Sequence, residues 1–279
     1  MQLQFPTGSN HLTKADARIL DYISQNTEEF LFLSIGQLAN RLQLADATVS
    51  RFVRHVGCAD YRELRQLVKR QSAPGPGPAA KMAETLNRET GFTLDAWMRR
   101  QQLLLQKTLE ELRSDQFAQA VRAVQEARHV WIHAKNASAS PGQLLFFRAR
   151  RLGIPVTLLP SGGSELLEGL AQVQKDDLVV LFCLSKLSRE GQTILDYSRE
   201  AGFRTLSFSG RSYVPADEQA DINLFVSRGE PNEYHSMTAP SALVDALIVA
   251  LSESMGTEAG LRLERLHQLK EKYAAKQSL

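Results

Sequence analysis

The chain has few cysteines and no long apolar run, and each of these absences excludes a class of protein. Its two cysteines, Cys58 and Cys183, lie far apart in the sequence, so they form neither a disulfide framework nor a metal-spaced cluster. No stretch approaches the roughly 20 apolar residues that span a bilayer, and the N-terminus lacks the basic start and apolar run of a secretion signal. These absences predict a cytoplasmic protein with reduced thiols, no membrane segment and no bound metal.

Net charge is also scarce, because 33 Lys and Arg face 31 Asp and Glu over 279 residues. The distribution is uneven. Residues 41–72 contain seven Lys or Arg and three acids, so this segment has a net charge of seven minus three, or +4, against +2 for the whole chain. A basic segment favours a polyanionic partner, because each neutralised phosphate releases condensed counterions. The length predicts two domains.

Residues 35–57 have the pattern of two short helices joined by a tight turn. One face of each helix is apolar, with Leu38, Ala39 and Leu42 in the first and Val49, Phe52, Val53 and Val56 in the second. Asp46 is predicted to cap the second helix with its carboxylate. The arrangement is typical of a helix-turn-helix, whose second helix enters a DNA major groove.

The candidate DNA contacts are amide, hydroxyl and guanidinium side chains: Gln37, Thr48, Ser50, Arg51 and Arg54. Such groups suit phosphates and base edges. Two amphipathic helices with a turn also occur in many proteins that never touch DNA, so spacing alone leaves that alternative open. The local positive charge favours double-stranded DNA as the partner.

Composition divides the chain into segments. Residues 1–72 predict a small all-helical domain, with a capping box at Thr13 and a helix capped by Asp60. Alternating prolines and glycines predict a linker over residues 73–80. Residues 81–113 predict one connecting helix, and its apolar cluster at 103–105 predicts packing on the next domain or, failing that, a dimer contact.

From residue 129 short β-rich runs alternate with helical stretches. The predicted strands are 129–133, 155–159, 178–183, 204–208 and 222–226. This alternation predicts a five-stranded parallel sheet with helices on both faces, centred on the near-continuous apolar strand 178–183. The fold class is therefore an all-α domain followed by an α/β domain.

Ligands of such sheets bind beyond the carboxyl ends of the strands. Two of the loops there hold serines and lysines just ahead of a helix, which is a receptive place for an anion. The candidate ligand residues are Lys135, Ser138, Ser185, Lys186 and Ser188. The alternative is that Ser138 and Ser188 are simply helix caps.

Several motifs together give the chain a specific likeness, namely Ile35-Gly-Gln-Leu-Ala39, Ala47-Thr-Val-Ser-Arg-Phe-Val-Arg54, Tyr61-Arg-Glu-Leu-Arg65, Ala220-Asp221 and the helix of residues 241–251. With them the chain resembles the RpiR-type bacterial transcriptional regulators, which join a helix-turn-helix domain to a sugar isomerase (SIS) domain. The resemblance implies a SIS-like domain over residues 114–256, a homodimer or homotetramer, and an effector that is a phosphosugar or a related sugar acid. No cofactor is implied.

The sequence departs from the family at both ligand loops. The family's Gly-x-Gly-x-Ser loop reads Ala134-Lys-Asn-Ala-Ser138 here, and its Ser-x-Ser-Gly-x-Thr loop reads Cys183-Leu-Ser-Lys-Leu-Ser188. Glycines matter at such places because a backbone approaches a phosphate closely only where no Cβ intervenes. Glu233 falls where sugar isomerases of this fold keep a glutamate, and the resemblance implies a hydrogen bond to a ligand hydroxyl. A solvated loop carboxylate is the alternative.

Three functions remain open on these residues. The first is a DNA-binding regulator that senses an anionic metabolite, with no catalytic residues. The second is a sugar-phosphate isomerase with Glu233 as its base. The third is a regulator whose SIS-like domain only oligomerises. The C-terminal helix, residues 257–279, has a leucine face that predicts packing across a subunit interface or onto its own domain.

Overall fold

In the computed structural model, the described residues are 13–72, 77–87, 91–211 and 214–274. They form two compact units that divide between Met82 and Ala83. The first unit is helical, and the second is built around a β-sheet.

The first unit contains helices α1 (Lys14–Gln25), α2 (Thr27–Phe30), α3 (Ile35–Arg41), α4 (Asp46–His55) and α5 (Tyr61–Ser72). Its core consists of fully or nearly fully buried apolar side chains, among them Ile19, Phe30, Leu38, Phe52 and Leu64. Helices α3 and α4 pack on each other through Leu38 and Ala39 on one side and Val49, Phe52 and Val53 on the other. The predicted helix-turn-helix is therefore confirmed as a pair of packed helices.

The capping predictions have a mixed outcome. Thr13 and Asp16 form the predicted capping box, and the Asp60 carboxylate accepts the Glu63 N–H at 2.7 Å ahead of α5. Asp46 was expected to cap α4 and does not. Ala45 has the extended backbone of the N-cap, with ψ 145°, while Asp46 is the first residue of the helix and makes no cap hydrogen bond. Asp46 can still favour the helix electrostatically, because an acid in the first turn complements the helix dipole.

The turn between α3 and α4 is a Schellman motif. The N–H of Gln43 donates to the carbonyl of Asn40 at 3.1 Å, and that of Leu44 donates to the carbonyl of Ala39 at 2.9 Å. The motif requires a left-handed residue, which is usually glycine. Gln43 occupies that position with a φ of +51°. The turn between α3 and α4 is therefore formed at a local conformational cost.

This cost predicts that Gln43→Gly stabilises the first unit by about 0.5–1 kcal/mol, because glycine adopts positive φ freely. Gln43→Val should destabilise it by about 1 kcal/mol or more, because a β-branched side chain tolerates positive φ poorly. Hydrogen exchange of peptides from α3 and α4 measures both effects in the intact protein. Equal protection in the two variants would show that the turn conformation carries no such cost.

The region predicted as a linker and one connecting helix is different in the structure. Helix α6 (Pro78–Asn87) begins inside the predicted linker, and a separate helix α7 covers Leu94–Glu111. Proline is tolerated at a first helical position, where its missing N–H costs nothing. Thr93 caps α7 by accepting the Ala96 N–H at 3.3 Å, and Gly91 precedes it with a φ of +110°. The single helix predicted over 81–113 was therefore wrong, while residues 73–76 and 88–90 lie outside the described part.

The second unit has the predicted five-stranded parallel sheet. Its strands are β1 (Val130–His133), β2 (Val156–Leu158), β3 (Leu178–Cys183), β4 (Arg204–Ser209) and β5 (Ile222–Phe225). They pair in the order β2-β1-β3-β4-β5, with every pair parallel. The apolar strand β3 is central, as predicted.

Helices cover both faces of this sheet. The remaining helices are α8 (Ser114–Glu126), α9 (Ala139–Arg151), α10 (Gly163–Leu170), α11 (Arg189–Ala201), α12 (Thr238–Met255) and α13 (Thr257–Tyr273). One core contains Ile132, Val180 and Leu206 together with side chains of α8, α9 and α12. The other contains Trp131, Val179 and Leu181 together with side chains of α10 and α11. Because every strand pair is parallel, all five carboxyl strand ends lie at one edge of the sheet.

The apolar cluster of α7 is only partly buried. Leu104 packs into the core, whereas Leu103 and Leu105 are 68% and 37% exposed. Three consecutive helical residues point in different directions, so one helix face cannot bury all of them. The expectation that the whole cluster packs on the next domain was therefore wrong.

Helix α12 is long and apolar enough to cross a membrane by length and composition. This is weak evidence, because the core helix of a globular domain passes the same test. Here Leu243, Val244 and Leu247 of α12 lie in the sheet-facing core.

Candidate functional site

The predicted DNA contacts lie on the helix-turn-helix of the first unit. Arg51 and Arg54 are exposed on α4, while Thr48 and Ser50 are half-buried on the same helix. Gln37 is exposed on α3, but its side-chain carbonyl already accepts the Ser34 N–H at 2.8 Å in a capping box. The two arginines are therefore the strongest candidates for DNA contact.

The end of α4 is tied to α1 through His55, whose Nδ1 lies 2.9 Å from Oδ2 of Asp16. Burial would raise the pKa of the Asp16 carboxyl, but hydrogen bonds from Thr13 and His55 hold it below its usual value. A carboxyl with a depressed pKa stabilises the fold above its unfolded pKa, and this stability is lost as the pH falls further. The orientation of α4 is therefore held by a carboxylate that stays ionised near neutral pH.

The ligand candidates lie at the carboxyl edge of the sheet in the second unit. Lys135 follows β1, and its Nζ donates to Oε2 of Glu190 at 2.8 Å. Glu190 is in the first turn of α11, and the hydrogen bond from Lys135 lowers the pKa of this carboxyl to about 2. Lys135 is thus already paired with an internal anion. His133 is buried beside this pair at the end of β1, and burial lowers the pKa of its imidazole.

The loop after β1 has other residues in place of the family's two glycines. Asn136 takes the place of the second glycine with a φ of +54°, a conformation that asparagine tolerates better than most residues. Ala134 takes the place of the first, and its Cβ fits against Gly142 of α9, where an added methyl would come within 2.6 Å of it. The glycine that this loop lacks is therefore matched by a glycine on the helix it faces.

The two serines ahead of helices differ from each other. Ser188 is a helix cap, because its Oγ accepts the Gly191 N–H at 3.1 Å at the start of α11. Ser138 is the N-cap residue of α9, yet its side chain makes no cap hydrogen bond. Ser188 is therefore a helix cap, as the alternative interpretation expected, whereas the hydroxyl of Ser138 has no capping role.

The loop after β3 contains the other two candidates. Lys186 and Ser185 are both exposed. Among the described residues only Gln43 and Asn136 combine a positive φ with a side chain, so the backbone at Lys186 does not require glycine. Ser185 Oγ accepts a hydrogen bond of 2.6 Å from the guanidinium of Arg228, a buried residue just after β5.

Glu233 is not the solvated carboxylate that the alternative interpretation expected. It is fully buried, and it forms an ion pair with Arg100 of α7. Gly229 lies directly against this pair, since a Cβ there would be 3.5 Å from the Arg100 guanidinium and 3.8 Å from a Glu233 oxygen. The pair therefore connects the loop between β5 and α12 to α7.

Three charged residues of this edge were missed from the sequence: Arg100, Glu190 and Arg228. The position of Arg228 could have been recognised from the sequence, because this arginine lies in the loop that follows β5 at the carboxyl edge. Arg100 and Glu190 lie on helical surfaces, and their partners are separated from them by 133 and 55 residues. In the described part of the chain, no group of three or more His, Cys, Asp or Glu is placed to hold a metal ion.

Comparison with known proteins assigns the first unit directly. The family model for the helix-turn-helix domain of the rpiR family matches residues 3–75. An uncharacterized HTH-type transcriptional regulator of Caldanaerobacter subterraneus is 23% identical over 256 residues, which cover 88% of both chains. The first unit therefore contains a helix-turn-helix domain of the rpiR family, and full-length relatives of the chain are named as transcriptional regulators. A second such relative, from Haemophilus influenzae, is 21% identical over 217 residues, covering 76% of this regulator and 75% of the relative.

Solved structures give the fold of the regulator's second unit. The sugar isomerase domain of the RpiR transcription factor from Sphaerobacter thermophilus has a TM-score of 0.58 and 24% identity, and the match covers 63% of the regulator and 98% of that chain. The NanR protein of Vibrio vulnificus, solved as a complex with ManNAc-6P, has a TM-score of 0.58 and 20% identity over 94% of each chain. The regulator therefore combines an rpiR-family helix-turn-helix domain with a second unit that has the fold of a sugar isomerase (SIS) domain.

Proposed function

We propose that the SIS domain of this regulator binds an anionic sugar derivative, a phosphosugar or a sugar acid, and that binding changes the affinity of the regulator for its operator. The observation that carries the proposal is the position of the serines that the loops after β1 and β3 keep. Their serines Ser138 and Ser185 stand at the ends of adjacent strands, and Ser138 is not used as a cap. Lys186 adds an exposed positive charge beside them.

The fold of NanR supports this choice of ligand class, because that protein was solved with the phosphosugar ManNAc-6P. A ligand shifts operator affinity only by binding one conformation of the protein better than another. The proposed coupling leads from the sheet loops through α7 and α6 to the helix-turn-helix.

An isomerase activity is the weaker candidate. Isomerisation requires a general base within reach of a substrate carbon, and Glu233 was the residue considered for it. In the structure this carboxylate is fully buried and occupied by Arg100, which suits a structural role. The names of the relatives as transcriptional regulators support the same conclusion.

We also propose that the regulator is a cytoplasmic homodimer or homotetramer. Helix α7 carries an exposed apolar stripe at helical spacing, formed by Leu94, Met98, Leu105 and Leu109. Helix α13 leaves Leu261 and Leu269 exposed as well. Exposed apolar side chains grouped on one helix face are typical of an interaction site, and a second copy of the chain is the occupant that a regulator of paired DNA sites requires. A helix-turn-helix pair would then read half-sites about 34 Å apart, or a multiple of that distance.

The test is operator binding in the presence of a panel of phosphosugars and sugar acids. One class is expected to change operator affinity by about 5- to 150-fold, which is the usual range of allosteric coupling. Ser138→Ala/Ser185→Ala should lose most of this response and keep operator affinity without effector. Ser252→Ala/Ser254→Ala, which removes two hydroxyls bonded to carbonyls of α12 itself, is the matched control. If no compound changes operator affinity, the SIS domain only oligomerises.

A further inference from the structure

Arg228 is a buried charge that the fold does not neutralise. The residue is 8% exposed, and burial alone lowers the pKa of its guanidinium to about 10. Its hydrogen bond to Ser185 Oγ reaches a neutral hydroxyl. Within the residues that the structure describes, its Nε has no hydrogen-bond partner.

Two other arginines of this unit have an acid as partner. Buried Arg211 is 7% exposed and pairs with Glu218, and half-buried Arg100 pairs with Glu233. Burying an unpaired charge is costly, so a protein normally supplies a counterion or a full set of acceptors. A guanidinium presents a planar fork of donors that matches the two oxygens of a carboxylate or a phosphate. Arg228 with Ser185 therefore offers donors suited to an oxyanion.

The backbone around Arg228 is fixed before any ligand arrives. The Ser236 N–H donates to the carbonyl of Arg228 at 3.1 Å, and the Ser227 N–H donates to Oγ1 of Thr108 at 3.0 Å. Gly210, at the end of β4, passes so close that a Cβ there would lie 2.4 Å from the carbonyl oxygen of Leu184. Because Gly210 has no side chain, the backbone after β4 fits between Leu184, which follows β3, and Val226, which follows β5. A preorganised cation loses little freedom on binding, which favours affinity.

We propose that Arg228 and Ser185 form an oxyanion-binding site, in which the loop between β5 and α12 supplies the cation that holds the phosphate or carboxylate of a small ligand. The identity of that ligand as a sugar derivative rests on the proposed function, but the anion site itself does not. Lys135, at the same edge, forms an ion pair with Glu190. Arg228 is buried and contacts a hydroxyl instead of an acid.

The experiment is equilibrium dialysis of radiolabelled inorganic phosphate against the full-length protein at constant ionic strength. All proteins carry Arg51→Ala/Arg54→Ala, which removes two candidate phosphate contacts of the DNA-binding domain. One saturable site per chain is expected. Arg228→Met and Ser185→Ala should each weaken phosphate binding at least tenfold, and Arg228→Lys should be intermediate because it keeps charge without the fork. Arg204→Met is the matched control, because this arginine is exposed at the opposite end of β4 and pairs with Glu126.

Thermal unfolding in anion-free buffer checks the folding of the Met variant. Its Tm should equal or exceed that of the parent, since an unneutralised buried charge has been removed. A lower Tm, with phosphate binding by Ser185→Ala unchanged, would make Arg228 a structural residue and overturn the proposal. Absence of a saturable site in the parent, or equal binding by Arg228→Met, would also overturn it.

Competition then identifies the source of the oxyanion. Displacement of labelled phosphate by glucose 6-phosphate assigns a phosphate ester, and displacement by gluconate assigns a carboxylate. If Arg228 binds phosphate but no phosphosugar or sugar acid changes operator affinity, the proposed function is wrong and the oxyanion site stands.

Discussion

Arg51→Ala/Arg54→Ala is expected to lower the affinity of the regulator for its operator by at least about 30-fold. The two side chains are exposed on the second helix of the helix-turn-helix, and each good bidentate contact of an arginine with a base edge is worth about 1–3 kcal/mol of discrimination. The operator is first obtained by selecting genomic DNA fragments with the purified protein. Direct titration of the selected fragment then measures the affinity of each variant.

The control for this prediction removes the same charge elsewhere. Arg199→Ala/Arg204→Ala takes two exposed arginines from the SIS domain and should leave operator affinity within about twofold. In the Arg51/Arg54 variant, the slope of log affinity against log salt should fall by about 1 for each phosphate that the protein no longer neutralises. Selection of the same fragments by that variant with undiminished affinity would remove α4 from the interface.

Periodicity predicted most of the fold because its elements are set by short-range patterns. The apolar run of β3 and the runs of the four other strands marked the sheet to within one residue at each end. The packed pair α3 and α4 followed equally well from its apolar spacing. The break between α6 and α7 did not, because helical residues flank it and its signal was confined to Gly91 and Thr93.

The candidate site was harder to predict, because its chemistry depends on long-range pairs. The positions of Ser185 and Lys186 at a strand end were readable from the sequence, since parallel strands place their carboxyl ends at one edge. That Lys135 is neutralised by Glu190, or that Glu233 is buried against Arg100, depends on tertiary contacts. The sequence alone also did not show how the loop after β1 accommodates an alanine in place of a glycine. In the structure Ala134 packs against Gly142.

The ion pair between Arg100 and Glu233 supports the largest predicted change in stability. Arg100→Met leaves a fully buried carboxylate without its cation, and breaking such a pair costs about 3–5 kcal/mol of unfolding free energy. Arg100→Met/Glu233→Gln removes both charges and should recover most of the loss, because a neutral pair avoids the desolvation penalty. Restoration by the second substitution is the signature of a buried pair.

Urea unfolding followed by tryptophan fluorescence measures this effect in the intact regulator. Both tryptophans, Trp97 and Trp131, lie in the second unit, so the signal reports that unit. Arg99→Met is the matched control, since this neighbour on α7 pairs with Asp95 and both side chains are 73% exposed. An exposed pair contributes at most about 1 kcal/mol. If Arg100→Met costs no more than Arg99→Met, the Glu233 carboxylate is not stabilised by Arg100, and its assignment as a structural residue rather than a base fails with it.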